Sequence, residues 1–138
     1  MGTVGELLGL RKPATDRLAL GEAIREGLPA SALERVKQSL DLPDTALTLA
    51  LGISTKTLGR LRRSHRPLSL LEGDRLYRIA EIIVLARSVL EDDTRAREWL
   101  RRPQMGLNNQ RPLDVLVTEA GAREVEDLLL RIEHGVLP

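Results

Sequence analysis

Residues 49–69 read LALGISTKTLGRLRRSHRPLS. A short apolar run stops at Gly52. Ser54 and Thr55 follow, and then five basic residues, Lys56, Arg60, Arg62, Arg63 and Arg66, with no acidic residue among them. Gly52 supplies the conformational freedom that a tight turn between two short helices demands. Ser54 or Thr55 offers a hydroxyl to cap a second helix. Leu47, Leu51, Ile53, Leu58 and Leu61 recur where the inner faces of two steeply crossed helices meet. The stretch therefore reads as a helix-turn-helix. Its first helix covers 44–51, opened by Pro43, and its second runs to about Arg63 and is broken by Pro67. Two residues depart from the ideal. Thr48 stands where the helices cross most closely, a place that favours Ala or Gly. Gly59 lies inside the second helix and costs about 0.5–1 kcal/mol relative to Ala.

Outward from this stretch the pattern stays helical. Toward the N-terminus, residues 1–20 lack sustained periodicity and are expected to form a flexible or partly ordered arm. GEAIREG (21–27) gives one or two helical turns. Ser31 to about Leu40 gives a helix with Leu33, Val36 and Leu40 on one face. Toward the C-terminus, SLLEGDRLYRIAEIIVLARSVLE (69–91) is the longest helix. Leu76, Ile79, Ala80, Ile83 and Leu90 make a stripe that Ile82, Val84, Leu85 and Ala86 widen almost to the full circumference. A helix apolar nearly all round is buried on several sides. It is expected to be the spine and to meet a second subunit, with Gly73 as an early weak point. A helix over 93–101 turns Trp99 and Leu100 inward. RPQMGLNNQRP is a loop, Pro112 opens a short helix, PLDVLVTEAG (112–121), and AREVEDLLLRIEHG is the last helix, stopped at Gly135. The fold class is all-α. Its divisions are an arm (1–20), a helix-turn-helix region (21–68), a central helix (69–92) and a C-terminal helical unit (93–138).

The totals agree. Apolar residues make up 42% of the chain but aromatics only 1%, so the core is aliphatic, and leucine favours helix where aromatics favour strand. Without cysteine there is neither a disulfide nor a thiolate metal site. No apolar run reaches the roughly 18–20 residues of a membrane span, and the first residues lack a signal-peptide pattern. A soluble cytoplasmic protein is expected. The charge is uneven. Residues 1–66 carry 11 basic and 7 acidic residues, a balance of +4, and residues 67–138 carry 10 and 13, a balance of −3.

These features separate the candidate chemistries. If the second helix of the motif enters a major groove, Ser54, Thr55, Lys56 and Arg60 face base edges, and Arg62, Arg63 and Arg66 lie near phosphates. An ordinary helical hairpin with a basic exterior is the alternative reading of the same residues. One short recognition helix binds weakly, so a DNA role implies a homodimer on a two-fold site. No catalytic set is apparent. His65 and His134 are far apart, Glu91, Asp92 and Asp93 terminate a helix, and Gly2, Gly5 and Gly9 lack the strand and lysine of a phosphate loop. No catalytic residue, metal or cofactor is assigned. The loop with Asn108, Asn109, Gln110 and Arg111 is either a polar connection or a recognition surface. The apolar end Val136–Leu137–Pro138 is either a folded-back tail or a plug for a partner.

EWLRRPQMGLNNQRPLDVLVTEAGAREVEDLLLRIEHGVLP (98–138) resembles the C-terminal toxin-binding domain of the Xre/MbcA/ParS-type antitoxins of bacterial RES–Xre toxin–antitoxin systems. The resemblance is carried by Trp99-Leu100, Pro103, the Gly106 loop, Pro112-Leu113-Asp114, Thr118 to Ala122, Val125 and Arg131 to Gly135. Upstream, LGISTKTLGRLRR, PLSLLEGDRLYRIAEI and ARSVLED resemble the family's helix-turn-helix and central helix, so that roughly 30–138 is covered. MGLNNQRP departs from a more glycine-rich loop in many relatives. The resemblance implies an all-helical dimer without enzymatic activity that binds a RES-domain toxin. Such toxins consume NAD, by degrading it or by transferring ADP-ribose. The antitoxin covers the NAD pocket, and the complex represses its own operon by binding operator DNA. Carried over by position, the toxin-facing residues are Gly106, Leu107, Asn108, Asn109, Gln110 and Arg111, with Glu133, His134, Gly135, Val136, Leu137 and Pro138. Glu133 and a carboxylate at Pro138 are suited to the basic groups of a dinucleotide pocket. The alternative is a helix-turn-helix transcriptional regulator whose C-terminal region only dimerises or senses a ligand. A helical adaptor whose helix-turn-helix serves only as a scaffold is a third reading.

Overall fold

The computed structural model describes residues 2–10 and 16–135. Among them the secondary structure is helical: α1 (Val4–Leu7), α2 (Arg17–Glu26), α3 (Ser31–Leu40), α4 (Asp44–Leu51), α5 (Thr55–Ser64), α6 (Leu70–Leu90), α7 (Asp93–Arg101), α8 (Pro112–Val115) and α9 (Glu119–Glu133), with a 3₁₀ turn at Met105–Leu107. Side-chain caps open most of the longer helices, as in α7, where the Asp92 carboxylate accepts from the Arg95 amide at 2.8 Å. Thr118 does the same for α9 through the Gly121 amide at 3.0 Å. At α6, Ser69 and Glu72 form a reciprocal capping box, satisfying two backbone donors that would otherwise be orphaned.

The spine is α6, as its near-circumferential apolar pattern requires. It packs against α1, α2, α3, α4, α7 and α9. Leu76, Ile79, Ala80, Ile82, Ile83 and Ala86 are all buried in one continuous aliphatic cluster that takes in every helix from α1 to α9. Gly73, expected as a weak point, is instead a packing surface. A Cβ there would stand 3.3 Å from Ile24 Cγ2 and 3.7 Å from a Leu28 methyl, so the glycine lets α2 approach the start of the spine closely.

The described part of the N-terminal segment is ordered in two short pieces, as a partly ordered arm would be. Thr3 caps α1 at 3.2 Å, and Leu7, Leu8 and Leu20 are buried. The Arg35 guanidinium donates to the Leu7 and Glu6 carbonyls at 3.2 and 2.8 Å, closing the short helix against α3. α2 also begins earlier than residue 21. The Asp16 carboxylate accepts from the Ala19 amide at 2.7 Å, and Leu20 and Ile24, one turn apart, are its buried face. A four-residue helix leaves too little periodicity to be read, because its partners are supplied by α3 and α6.

Candidate functional site

The helix-turn-helix forms as α4 and α5. Gly52 adopts the left-handed conformation, φ 68° and ψ 32°. The Gly52 and Ile53 amides then close α4 on the Leu49 and Thr48 carbonyls at 3.2 and 3.1 Å. Ser54 is the cap of α5, its hydroxyl accepting from the Thr57 amide at 3.0 Å. Thr48 is buried at the crossing and tolerated there because its hydroxyl donates to the Thr45 carbonyl at 3.0 Å. A buried hydroxyl with a partner avoids the desolvation cost of an orphaned one.

On α5, Leu58 and Leu61 are buried. Lys56, Arg60 and Arg63 occupy the exposed face at i, i+4 and i+7. Among the described residues none of the three forms an ion pair within 4.0 Å. Ser54 and Thr55 lie exposed at the entry. This is a cationic face without ion pairs that runs along the second helix from its first turn, at Lys56, to its last, at Arg63, a face that a major groove could receive.

Two of the arginines expected near phosphates are engaged elsewhere. Arg62 Nε donates to Glu34 Oε1 at 2.6 Å, and its two terminal nitrogens donate to the Asp44 carboxylate at 2.8 Å each. Lys37 joins at 3.0 Å from Asp44. The bonds from Arg62, then from Lys37, hold the Asp44 carboxyl well below the usual carboxylate range, and the bond to Asp44 raises Arg62 further above its already high value. Arg62 thus ties α5 to α3 and α4. Arg66 donates to the Pro67 carbonyl at 3.0 Å and to both Glu72 oxygens at 3.1 and 3.3 Å. Burial works against the charge on Glu72, but the bonds from Arg66 and from the Ser69 cap outweigh it and keep its pKa below the ordinary value. Arg66 therefore braces the start of α6.

In the C-terminal unit the expected toxin-facing loop is closed on itself. The Gln104 and Gln110 backbones pair at 3.1 Å, and the Asn109 amide donates to the Gln104 carbonyl at 2.9 Å. The amide run is partly structural. Asn108 and Asn109 both sit in the left-handed region, φ 55° and 61°, which asparagine tolerates better than most residues. Gln110 Nε2 donates to the Leu107 carbonyl at 3.3 Å. Leu107, one of the expected contact residues, is buried and anchors the loop. Arg111 is exposed, but its guanidinium pairs with both Asp114 oxygens at 2.9 and 3.1 Å. Gly106, Asn108, Asn109 and Gln110 are exposed as expected. So is Met105, at 87%, a residue missed in the sequence although an apolar side chain inside a polar loop was its signal.

Beside this loop lies an open groove of about 250 Å³, lined by Gly106, Leu107, Asn108, Gln110, Val115, Gly121 and Glu124. Glu133, His134 and Gly135 are exposed at the far end of α9. Glu133 lies nine helical steps beyond Glu124, which is about 14 Å along a helix axis. The loop and the helix end are therefore two surfaces. Val136, Leu137 and Pro138, the rest of the expected tail contact, lie outside the described residues.

The two units meet at a seam built on α6. Arg75 donates to the Leu51 and Gly52 carbonyls at 3.2 and 3.4 Å. One turn on, Arg78 donates to the Leu116 and Val117 carbonyls at 3.4 Å each and pairs with Glu119 at 3.4 Å. Both arginines satisfy helix-end carbonyls, one in each unit. Gly52 itself faces Val117, whose Cγ2 would stand 3.0 Å from a Cβ there. At the start of α9, Gly121 passes so close to α8 that a Cβ would be driven into the Val115 carbonyl.

Sequence comparison divides the chain along the same seam. Residues 19–81 match the Antitoxin Xre-like helix-turn-helix domain. Residues 85–135 match the Antitoxin Xre/MbcA/ParS C-terminal toxin-binding domain. An Antitoxin Xre of Yersinia enterocolitica serotype O:8 is 30% identical over 125 residues, covering 90% of this chain and 84% of its own. An Antitoxin Xre of Pseudomonas putida is 34% identical over 83 residues, which are 60% of this chain and 52% of that one. A Prs ADP-ribosylating antitoxin of Sphingobium sp. is 25% identical over 134 residues, covering 91% of this chain and 82% of the relative.

Proposed function

The chain belongs to the antitoxin Xre family, and from that premise we propose that it neutralises a RES-domain, NAD-consuming toxin and represses its own operon. The observation that carries this reading is the separation of two unlike surfaces on one aliphatic core. One is the unpaired cationic face of Lys56, Arg60 and Arg63 on α5. The other is the self-bonded loop with Met105 exposed, together with the end of α9. A partner with phosphates suits the first, and a protein surface suits the second.

In this reading the loop binds the toxin, and the segment from Glu133 onward enters the toxin's NAD pocket. Glu133 offers a carboxylate to groups that otherwise receive an anionic dinucleotide. The name of the Sphingobium relative, an ADP-ribosylating antitoxin, favours a toxin that uses NAD as substrate. The chain itself acts by occlusion and contributes no catalytic group. On DNA, Ser54, Thr55, Lys56 and Arg60 face the bases and Arg63 a phosphate. A homodimer doubles a single weak helix contact into a two-fold site.

The test is co-expression with the product of the adjacent gene and measurement of cellular NAD. NAD should fall when the toxin is expressed alone and stay level when both are present. If the adjacent product leaves NAD untouched, or depletes it equally in both cases, the proposal fails.

A further inference from the structure

Gly59 has no internal reason to be glycine. It lies in the middle of α5 and its φ is not positive. A Cβ there would meet only the mobile end of a side chain, the Arg63 guanidinium at 3.1 Å. At Gly121, by contrast, the Val115 backbone fills the space, and Gly52 holds a positive φ. A helix-interior glycine nevertheless carries an entropic penalty, and no contact among the described residues requires it at this position.

Its place on the helix is specific. Lys56, Gly59, Arg60 and Arg63 stand at i, i+3, i+4 and i+7, one face of a helix with 3.6 residues per turn. Leu58 and Leu61 point the other way, into the core. Half-buried backbone, covered only by the end of Arg63, thus lies among three exposed cations that have no acidic partner among the described residues.

We propose that Gly59 is a specificity-determining position for DNA. The inference deepens the DNA-binding reading above and rests on it. The missing side chain lets the α5 backbone sit against base edges in the major groove, bringing Lys56 and Arg60 within hydrogen-bonding reach of the bases. Arg63 swings off Gly59 to a phosphate. Any side chain at 59 holds the helix off the base edges, and side-chain hydrogen bonds to bases weaken steeply with such a displacement.

Gly21 provides the comparator. It too is interior to a helix, with nothing within 4 Å of a Cβ, and its neighbour Arg25 is paired with Glu22 at 3.8 Å. Wild-type protein is used to select duplexes from a randomised pool, and the selected duplex is titrated with full-length variants. Gly59→Ala and Gly21→Ala should both raise the melting temperature, since each removes a helix-interior glycine. Only Gly59→Ala and Gly59→Gln should lose affinity for the selected duplex, by about 10-fold or more, while the slope of affinity against salt is retained because phosphate contacts remain. If Gly59→Gln binds as tightly as wild type and reselects the same sequence, while Lys56→Ala with Arg60→Ala abolishes binding, the inference is overturned and the DNA reading stands. A fall in melting temperature in Gly59→Ala that tracks its loss of binding also overturns it. If wild type enriches no sequence, the DNA reading fails and this inference fails with it.

Discussion

Arg62 holds Asp44 through two bonds of 2.8 Å, and this pairing divides the basic run of α5 into two groups. Arg62 faces α3 and α4, while Lys56, Arg60 and Arg63 face outward. Five positive charges in the sequence are therefore three available charges in the fold, since Arg66 is also paired, with Glu72.

The division predicts different phenotypes for neighbouring arginines. Lys56→Ala with Arg60→Ala should weaken DNA binding by about 10-fold or more, because two contacts to base edges are removed together. Toxin neutralisation should be unchanged. Arg62→Ala should instead lower the melting temperature and leave the salt dependence of DNA binding as in wild type. DNA titrations across a salt series and thermal melts decide this. A loss of salt slope in Arg62→Ala equal to that of Arg63→Ala would show that Arg62 contacts phosphate after all.

The same pairing was illegible in the sequence for a physical reason. Glu34 lies 28 residues and Asp44 18 residues before Arg62. Only the fold brings them together, so the sequence shows a charge run and not the pairs. Periodicity did reveal α3 to α7 and α9, because each buries a stripe long enough to repeat. It could not reveal α1, where one turn is held by Arg35, and it started α2 too late by passing over Asp16 as a cap. Gly73 and Gly121 share this limit. A glycine that breaks a pattern looks like a flaw until its neighbour across the packing interface is known. In the loop, the sequence leaves Asn108 and Asn109 open between a polar connection and a recognition surface, and their left-handed backbone accounts for part of their presence in either case.

Acid should destabilise the helix-turn-helix region through Asp44 and Glu72. Both carboxyls are held below their unfolded values in the folded chain. A depressed folded pKa contributes stability that is fully present above the unfolded value and is lost as pH falls through the folded one. Melting temperature should therefore be flat through neutral pH and begin to drop below about pH 4–5, where unfolded carboxylates take up protons. Asp44→Asn should lower the neutral-pH melting temperature and flatten that acid limb. Melts of both proteins from pH 7 to pH 3 would contradict the assignment if the two acid limbs were parallel.

Gly121→Ala should be the most damaging of the small glycine substitutions. The added methyl is aimed at the Val115 backbone, which cannot rotate aside as a side chain can. Relief requires α8 and α9 to separate, and overpacking of this kind costs about 3 kcal/mol. Gly73→Ala faces only side-chain carbons, at 3.3 Å and beyond, and should cost about 1 kcal/mol. Denaturant titrations measure both. Equal losses in the two variants would mean that the α8–α9 contact yields more easily than its geometry indicates.

Toxin binding and toxin inhibition should be separable. The loop stands beside Gly121 and Glu124, about 14 Å along α9 from Glu133 by helical rise. If the loop docks and the segment beyond Glu133 occludes, each can be removed without the other. Met105→Asp places a charge on a side chain that is 87% exposed in the free protein. It should leave the fold intact and weaken toxin binding by about 10-fold or more, the cost of burying an unpaired charge in an interface. Inhibition should return at high antitoxin concentration. Deleting residues 133–138 should do the opposite, leaving a complex that co-purifies while NAD turnover resumes. Binding measured by titration and inhibition measured by NAD consumption, on the same two variants, give the comparison. If binding and inhibition fall together in both variants, loop and helix end act as one contact and the division of roles is wrong.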